Sequence, residues 1–486
     1  ARRVRLPPMP GEKTMYYKMA LYIFLGLLSV GVKAAAEVAG QNEQPNVLFI
    51  MIDDLRVELG AYGGEHVLSP NIDALAAQGT RFANAYVSVP VCGASRASLF
   101  TGMRATPDRF TNYYTSVEKD APDATTIFEQ FKDNGYHTAA YGKIFHQVQD
   151  TASKSWTAKK AWNWRRHTQN RDYQLPENIA EFKRTKSGPS TESYDGPDDV
   201  YFGGKLANKA VKVMSDMAAS KQPFLLALGF TKPHLPFNAP KKYWDLYDAQ
   251  QFQLAENSLP EGAPKQAYHQ FGELRSYSDT PKAPQPVGED QARRLIHGYH
   301  AAVSYTDAQV GKVLKQLDAL GLTENTIVIL MGDHGYALGE HGLWCKHSTF
   351  DVATKTPLII RAPNMPANQT VEGLVEFIDI FPTLTELAGF DSPAQAVGIS
   401  LTPQLSDSSL PARSAVFPRY HSAEAIHTDQ YTLTQWFGAN GRVRAQMLYD
   451  NKNDPDETRN LADLPEYRET LADLSAQLSA YLKARR

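Results

Sequence analysis

The chain has 486 residues, with 50 Lys and Arg against 53 Asp and Glu and a net charge of -3, about three times the length of an average domain. Its 42% hydrophobic and 21% charged content is that of an ordinary globular protein and excludes wholesale disorder. Near-balanced charge leaves no overall field to draw nucleic acid or an anionic membrane, and two cysteines, Cys92 and Cys345, are too few for a disulfide framework or a thiolate metal site.

In chain order, Lys13 and Lys18 precede an apolar run, Ala20 to Val32, that ends in Lys33 and Ala34-Ala35-Ala36. Thirteen helical residues would span only about 20 Å, short of a bilayer core. A basic start, a short apolar centre and small residues at its end predict a secretory leader over residues 1–36. Met15 or Met19 is the expected start, and the mature chain is expected to begin near Glu37. With no longer apolar run elsewhere, the mature form is expected to be exported, periplasmic or secreted, without a stable membrane span.

Four apolar runs then lead into ionisable clusters: Val47–Ile52 into Asp53-Asp54, His137–Tyr141 into Lys143 and His146, Pro223–Phe230 into Lys232-Pro233-His234, and Thr326–Met331 into Gly332-Asp333-His334. Such runs suit strands buried on both faces. Between them lie helix-like stretches at Asn71–Gln78, Ala124–Asn134, Asp199–Ser220 and Gln291–Leu320, which argues for an open α/β sheet whose ligands bind at the carboxyl ends of the strands. Residues 151–200, with Trp156, Trp162 and Trp164, read as a long surface excursion, functional or merely packed by its tryptophans. A Pro- and Gln-rich stretch spans Leu259–Val287. Beyond a helix-like Val375–Gly389, Ser406–Ser409 reads as a linker. Strand-like Gln430–Trp436 and Arg442–Tyr449 and helical Pro465–Lys483 follow. The expected organisation is a catalytic domain over 37–405 and a small α+β domain over 410–486, without internal repeats.

Asp53, Asp54 and Asp333 offer hard oxygen ligands suited to Ca²⁺ or Mg²⁺, although an isolated pair of aspartates is commonly a solvated turn. A buried free cysteine is ordinarily a small hydrophobe. Cys92, however, sits in Val91-Cys92-Gly93-Ala94-Ser95-Arg96-Ala97-Ser98-Leu99-Phe100-Thr101-Gly102. This C-x-A-S-R-x-x-L-x-T-G spacing resembles the signature of type I sulfatases, in which the cysteine is oxidised to formylglycine. Met103 stands where that family usually has arginine, with Arg104 one place later. The resemblance continues through NVLFIMIDDLR, SPNIDALAAQGTRFANAY, GYHTAAYGKIFH, KPHLPF, GDHGYALGEHGLWCKHSTFDVATKTPLII and LYDNKNDPDETRNLA. Through DDLR, GKIFH, KPHLPF and the GDHG block it is most similar to the iduronate-2-sulfatase group.

The resemblance implies an alkaline-phosphatase-like α/β fold: a mixed, mainly parallel sheet sandwiched by helices, with a smaller α+β C-terminal domain. It implies Ca²⁺, with Mg²⁺ as the alternative, held by Asp53, Asp54, the modified Cys92, Asp333 and His334, and a formylglycine-generating or sulfatase-maturating enzyme as partner. Arg96, Lys143 and Lys346 match residues that orient the nucleophile and screen the sulfate. One hydroxyl of the hydrated aldehyde would attack sulfur, and the other would regenerate the aldehyde and expel sulfate. His146 would accept that second hydroxyl's proton, and His234 would donate one to the leaving sugar oxygen.

Taken singly, these basic residues would be surface charges and loop histidines; their place beyond strands, inside matched blocks, points to catalysis. His341 and His347 read as structural, and Cys345 as a packed thiol. Arg56 could meet a uronate carboxylate or a second sulfate, or equally pair with Glu58; Trp344 and the 151–200 tryptophans could stack on a sugar. The expected activity is hydrolysis of O-sulfate on saccharides of sulfated polysaccharides, including 2-O-sulfated uronic acid, with ulvan, carrageenan or fucoidan fragments as alternative sources. A phosphoester or phosphonate hydrolase on the same scaffold and a non-catalytic sulfoglycan binder are the rivals.

Overall fold

The computed structural model describes residues 44–157, 162–255 and 258–485; the expected leader lies outside them. The first strand, β1 (Asn46–Ile52, NVLFIMI), is buried along its whole length. Leu48, Ile50 and Ile52 enter one core and Val47, Phe49 and Met51 another, because successive strand side chains point to opposite faces. Each large apolar side chain buried this way contributes roughly 1.5–3 kcal/mol. Six of them fix β1, and with it the acids at its end.

Around β1 are β2 (Thr80–Tyr86), β3 (His137–Gly142), β4 (Phe224–Phe230), β5 (Thr326–Gly332), β6 (Leu358–Arg361) and β7 (Gln369–Glu376). The sheet order is β7-β2-β6-β5-β1-β4-β3, with β6 alone antiparallel to its neighbours. Helices cover both faces: α1 (Pro70–Gln78), α2 (Cys92–Thr101), α3 (Ile127–Asp133), α4 (Phe202–Ala219), α5 (Glu289–Ala319) and α6 (Ile380–Ala388). Ile72, Phe202, Leu206 and Leu295 of α1, α4 and α5 close one face. Leu99, Phe100, Phe128, Phe381 and Leu384 of α2, α3 and α6 close the other. This is the α/β sandwich expected from the sequence.

A second sheet is antiparallel throughout: β8 (Ala415–Val416), β9 (Ala423–Thr428), β10 (Tyr431–Phe437) and β11 (Val443–Asp450), in that order. The last helix, α7 (Arg468–Ala484), seats Leu474 and Leu478 on Ile426, Leu433 and Leu448 of this sheet. Residues 45–486 form one unit, and Arg413 ties the two sheets' surroundings together through Asp379 and Glu376. No described helix is long and apolar enough to cross a membrane.

Three expectations change. Val375–Gly389 is not one helix: Val375 and Glu376 end β7, and a capping box made by Glu376 and Asp379 redirects the chain before α6 begins at Ile380. The helix expected over Ala124–Asn134 starts only at Ile127, where Thr126 Oγ1 accepts the Glu129 N–H as an N-cap;. The described part of the 151–200 excursion contains regular structure: a helix, Pro176–Thr185, and a strand, Thr191–Tyr194, paired with Phe237–Pro240.

Candidate active site

Strand register assembles the site. Ile52 of β1 pairs with Gly332 of β5 and with Phe230 of β4, so Asp53-Asp54, Asp333-His334 and the loop carrying His234 all leave the sheet side by side. Gly142 of β3 pairs with Gly229 of β4; Gly142 has φ +84°, and a Cβ there would lie 2.1 Å from the Gly229 carbonyl oxygen. Only glycine permits that turn, and it delivers Lys143 into the cluster. Asp54 is itself left-handed, at φ 62°. Its N–H donates to Asp333 Oδ1 at 3.0 Å and its carbonyl accepts the Tyr299 hydroxyl of α5 at 2.8 Å. Those bonds hold a turn that aspartate tolerates better than most residues, so both acids face one point.

Cys92 is the first residue of α2, a helix with all ten residues buried. Such a helix needs small residues: a Cβ on Gly93 would lie 2.7 Å from the Tyr113 carbonyl oxygen. Cys92 Sγ lies 3.2 Å from His334 Nε2 and 4.0 Å from Asp54 Oδ1. Possible ligand atoms of Asp54, Cys92, Asp333 and His334 all fall within 4.8 Å of one another, as do those of Asp53, Asp54, Cys92 and His234. Burial, then the charges of Asp53 and Asp333, push the thiol well above its ordinary range against the pull of Lys143.

Cations close the ring. Arg96, one turn along α2, gives Nη2 to Asp53 at 2.8 Å and Nε to Asp333 at 2.9 Å, and its Nη1 reaches the carbonyls of Lys143 and Ile144. Lys143 pairs with Asp53, and Lys346 with both oxygens of Asp54 at 3.0 Å. Burial alone would raise the pKa of Asp53, but Lys143, Arg96 and His234 overcome it and hold its carboxyl well below the usual range. Burial would lower Lys346, yet Asp54 and Glu273 hold it well above its usual range; Lys143 is raised by Asp53 in the same way. Opposite charges a few ångströms apart at low dielectric hold Asp53, Lys143 and Lys346 in their charged forms;.

His234 Nδ1 lies 2.7 Å from the Leu235 carbonyl oxygen and Nε2 3.0 Å from Glu273 Oε1. Lys346 reaches the same carboxylate at 2.9 Å. Burial would raise Glu273, but Lys346 and His234 hold it well below the ordinary carboxylate range. Glu273 escaped sequence reasoning because it stands in the irregular Leu259–Val287 stretch, with no strand before it and no block to mark it. The buried Lys232 was missed too; its Nζ donates to the carbonyls of His234 and Pro236 and fixes the loop that carries His234. His146 is brought down to about 2 by burial and then by Lys143. It is therefore neutral near pH 7, and its buried Nδ1 has no hydrogen-bond partner among the described residues.

Two substrate expectations are corrected. Trp344 is 2% exposed and packed in the core, so it has no open face for a sugar. Arg56 is held by Glu58 at 3.3 Å and Glu340 at 2.7 Å. It lines a cavity of about 950 Å³ whose walls include Phe252, His300, Asp351 and Glu457 but neither Cys92 nor any of its cluster. The ion-pair reading of Arg56 is the one observed. Among the 151–200 tryptophans, Trp156 packs on Phe128 with centroids 4.6 Å apart and Trp162 on Phe202 at 5.3 Å, while Trp164 lies under Lys143 and Arg165. His341 stacks on Phe350. Cys345 is buried and accepts the Tyr336 hydroxyl at 3.3 Å. Arg104, displaced by Met103, forms a bidentate pair with Glu376 instead of entering the site.

The donor set fits a hard divalent cation: three carboxylates converge, and His334 is oriented for ligation. Its Nδ1 faces the Gly335 carbonyl at 2.9 Å, so the proton belongs there and the Nε2 lone pair points into the cluster, the arrangement that ligating histidines adopt. With this geometry in place, the sequence matches the sulfatase family over residues 45–390, and a second family, N-sulphoglucosamine sulphohydrolase, C-terminal, over 339–484. The chain belongs to the sulfatase family. It is similar to iduronate 2-sulfatase of Homo sapiens, 34% identical over 428 residues, covering 79% of this chain and 76% of that one. It is also similar to an ulvan-active sulfatase of Formosa agariphila, 28% identical over 496 residues, covering 96% and 86%. A solved phosphonate monoester hydrolase from Silicibacter pomeroyi superposes with TM-score 0.74 at 25% identity, covering 91% of this chain and 96% of that one. The fold is the alkaline-phosphatase-like fold of sulfatases, and the chain is a hydrolase of sulfate esters.

Proposed function

We propose that this sulfatase removes O-sulfate from saccharides of sulfated polysaccharides, 2-O-sulfated uronic acid first among them, through a formylglycine made from Cys92 by a maturating enzyme. The observation that carries this reading is the position of Cys92 Sγ, 3.2 Å from His334 Nε2 inside the Asp53, Asp54, Asp333 ring. That sulfur stands where the hydroxyls of the hydrated aldehyde would be held. A divalent cation, Ca²⁺ by its three carboxylates, would be held by Asp53, Asp54, Asp333, His334 and the modified Cys92; when bound it would polarise the sulfate oxygens. The uronate assignment leans on the likeness to iduronate 2-sulfatase.

The chain's own residues divide the remaining work. Lys143, Lys346 and Arg96 surround the anion with fixed positive charge that needs no reorganisation during reaction. His234 faces a carbonyl on Nδ1 and a carboxylate on Nε2. With Nε2 turned toward Glu273, a proton carried there is placed to pass to the leaving sugar oxygen. Neutral His146 keeps a lone pair to accept a proton from the nucleophile's second hydroxyl. The leader-like sequence supports export to the periplasm or outside the cell.

Side-by-side kinetics test the assignment. With matched aryl leaving groups, kcat/KM for the sulfate ester should exceed that for the phosphonate monoester; the reverse order would move the chain to the phosphonate hydrolases that share its fold.

A further inference from the structure

Beside the nucleophile, two large aromatic side chains stand in solvent. Tyr113 is 45% and Tyr114 67% exposed, and their rings pack on each other with centroids 4.0 Å apart. Their position is set by the active site itself. The Tyr113 carbonyl oxygen sits against Gly93, the residue after Cys92, and accepts from Gln147, the residue after His146, at 3.3 Å. The Tyr113 ring lies 6.1 Å from the His146 ring. An Asx turn, with the Tyr114 N–H on Asn112 Oδ1 at 2.8 Å, holds the pair outward rather than letting it fold into the core.

Exposure of this much aromatic surface forgoes burial that the adjacent core could supply, and each ring offers an apolar face with a wet hydroxyl edge. A pyranose has the matching chemistry: its C–H face packs on an aromatic ring while its hydroxyls stay hydrated. The pair stands against Gly93 and beside His146, within reach of a ring glycosidically joined to a sulfated sugar held at Cys92.

We infer that Tyr113 and Tyr114 form a subsite for the saccharide ring next to the sulfated one, so that the enzyme selects oligosaccharides over lone sulfate esters. This rests on the saccharide sulfatase reading above and deepens it. The subsite touches a ring remote from the reacting sulfur, so its effect appears only with substrates long enough to reach it.

The test uses two arms. Cys92→Ala protein, which cannot turn over, is titrated calorimetrically with a heparin tetrasaccharide and an ulvan tetrasaccharide, with and without Tyr113→Ala and Tyr114→Ala. Stacking of this kind predicts a Kd raised by about tenfold in the double variant and by less in each single one. Unchanged affinity, or no binding of either tetrasaccharide by the Cys92→Ala parent, overturns the subsite. In the second arm, converted enzyme with and without the double substitution is assayed on 4-methylumbelliferyl sulfate, whose kcat/KM should stay within about twofold; an equal loss on this ester would show a general disturbance of the site and also overturn the proposal. Tyrosine-dependent oligosaccharide binding without any sulfate ester hydrolysis would sink the sulfatase reading alone.

Discussion

Two acid-rich regions meet along the short segment from Asp53 to Glu58, and they differ in how completely cations cover their carboxyl groups. Around Cys92, Asp53, Asp54, Asp333 and Glu273 each face a lysine, an arginine or His234 at hydrogen-bonding distance. In the cavity beside Arg56, Glu58 and Glu340 share that one guanidinium, and Glu457 has none. One oxygen of Glu457 accepts the Asp351 N–H at 2.8 Å and the other has no partner among the described residues; burial, then the charge of Asp351, pushes its carboxyl well above the ordinary range. Burial together with a neighbouring carboxylate therefore pushes an acid upward where no lysine or arginine faces it. Around Cys92 cations converge on the acids and hold Asp53 and Glu273 well below the ordinary range, and a cluster of charges kept in place against burial is suited to holding an ion and an anionic ester.

The comparison breaks most visibly at the nucleophile. Cys92→Ala should abolish turnover, a fall in kcat of at least about 10³-fold, while the melting temperature stays near that of the parent; substantial multiple turnover by this variant would exclude Cys92 as the reacting residue. Next in size is metal removal. Exhaustive chelation should lower both activity, by roughly 100-fold or more, and melting temperature, and added Ca²⁺ should restore both. A chelated enzyme with unchanged rate and stability would mean that the carboxylates hold no ion.

Glu273→Gln weakens the hold on His234 and Lys346 without removing either. The expected loss in kcat is about 10- to 100-fold with a sugar sulfate, where the leaving oxygen needs a proton, and much smaller with 4-nitrophenyl sulfate, whose leaving group does not. Equal losses on the two substrates would assign Glu273 a purely structural role.

The smallest effect sharpens the contrast from the cavity side. The folded Glu457 carboxyl keeps its proton beyond the usual glutamate range, so the folded state binds more protons than the unfolded one. Its contribution is full below about pH 4.3, the unfolded value, and is lost as pH rises toward the raised native value. Glu457→Gln cannot ionise and should be more stable than the parent at pH 7 by about 1 kcal/mol or more, with little difference at pH 4. Denaturation at the two pH values checks this; a variant less stable than the parent at pH 7 would show that Glu457 is ionised.

The buried strands β1, β4 and β5 were legible in the sequence because each is a short unbroken apolar run, and the half-buried β3, HTAAYG, by the ionisable residues after it; the residues just past these strands, Asp53, Asp54, Lys143, His234, Asp333 and His334, converge by register. The strands β2, β6 and β7 were not recognised. Two of them, TRFANAY and QTVEGLVE, mix polar residues into their runs, and the buried part of β6 is only three residues long. Trp344 was misread because composition cannot tell a core tryptophan from a platform. Glu273 was invisible for a different reason: it acts through tertiary contact from a loop more than seventy residues before Lys346 in sequence, so no local pattern marks it.

Catalysis by this chain depends on conversion of Cys92, which the mass of the tryptic peptide 82–96 reads out in protein made in a host with a sulfatase-maturating enzyme. In a preparation that hydrolyses sulfate esters, that mass should be lower than that of the cysteine peptide by the difference between CH₂SH and CHO. An active preparation whose peptide still carries the intact thiol would exclude the converted side chain as the nucleophile.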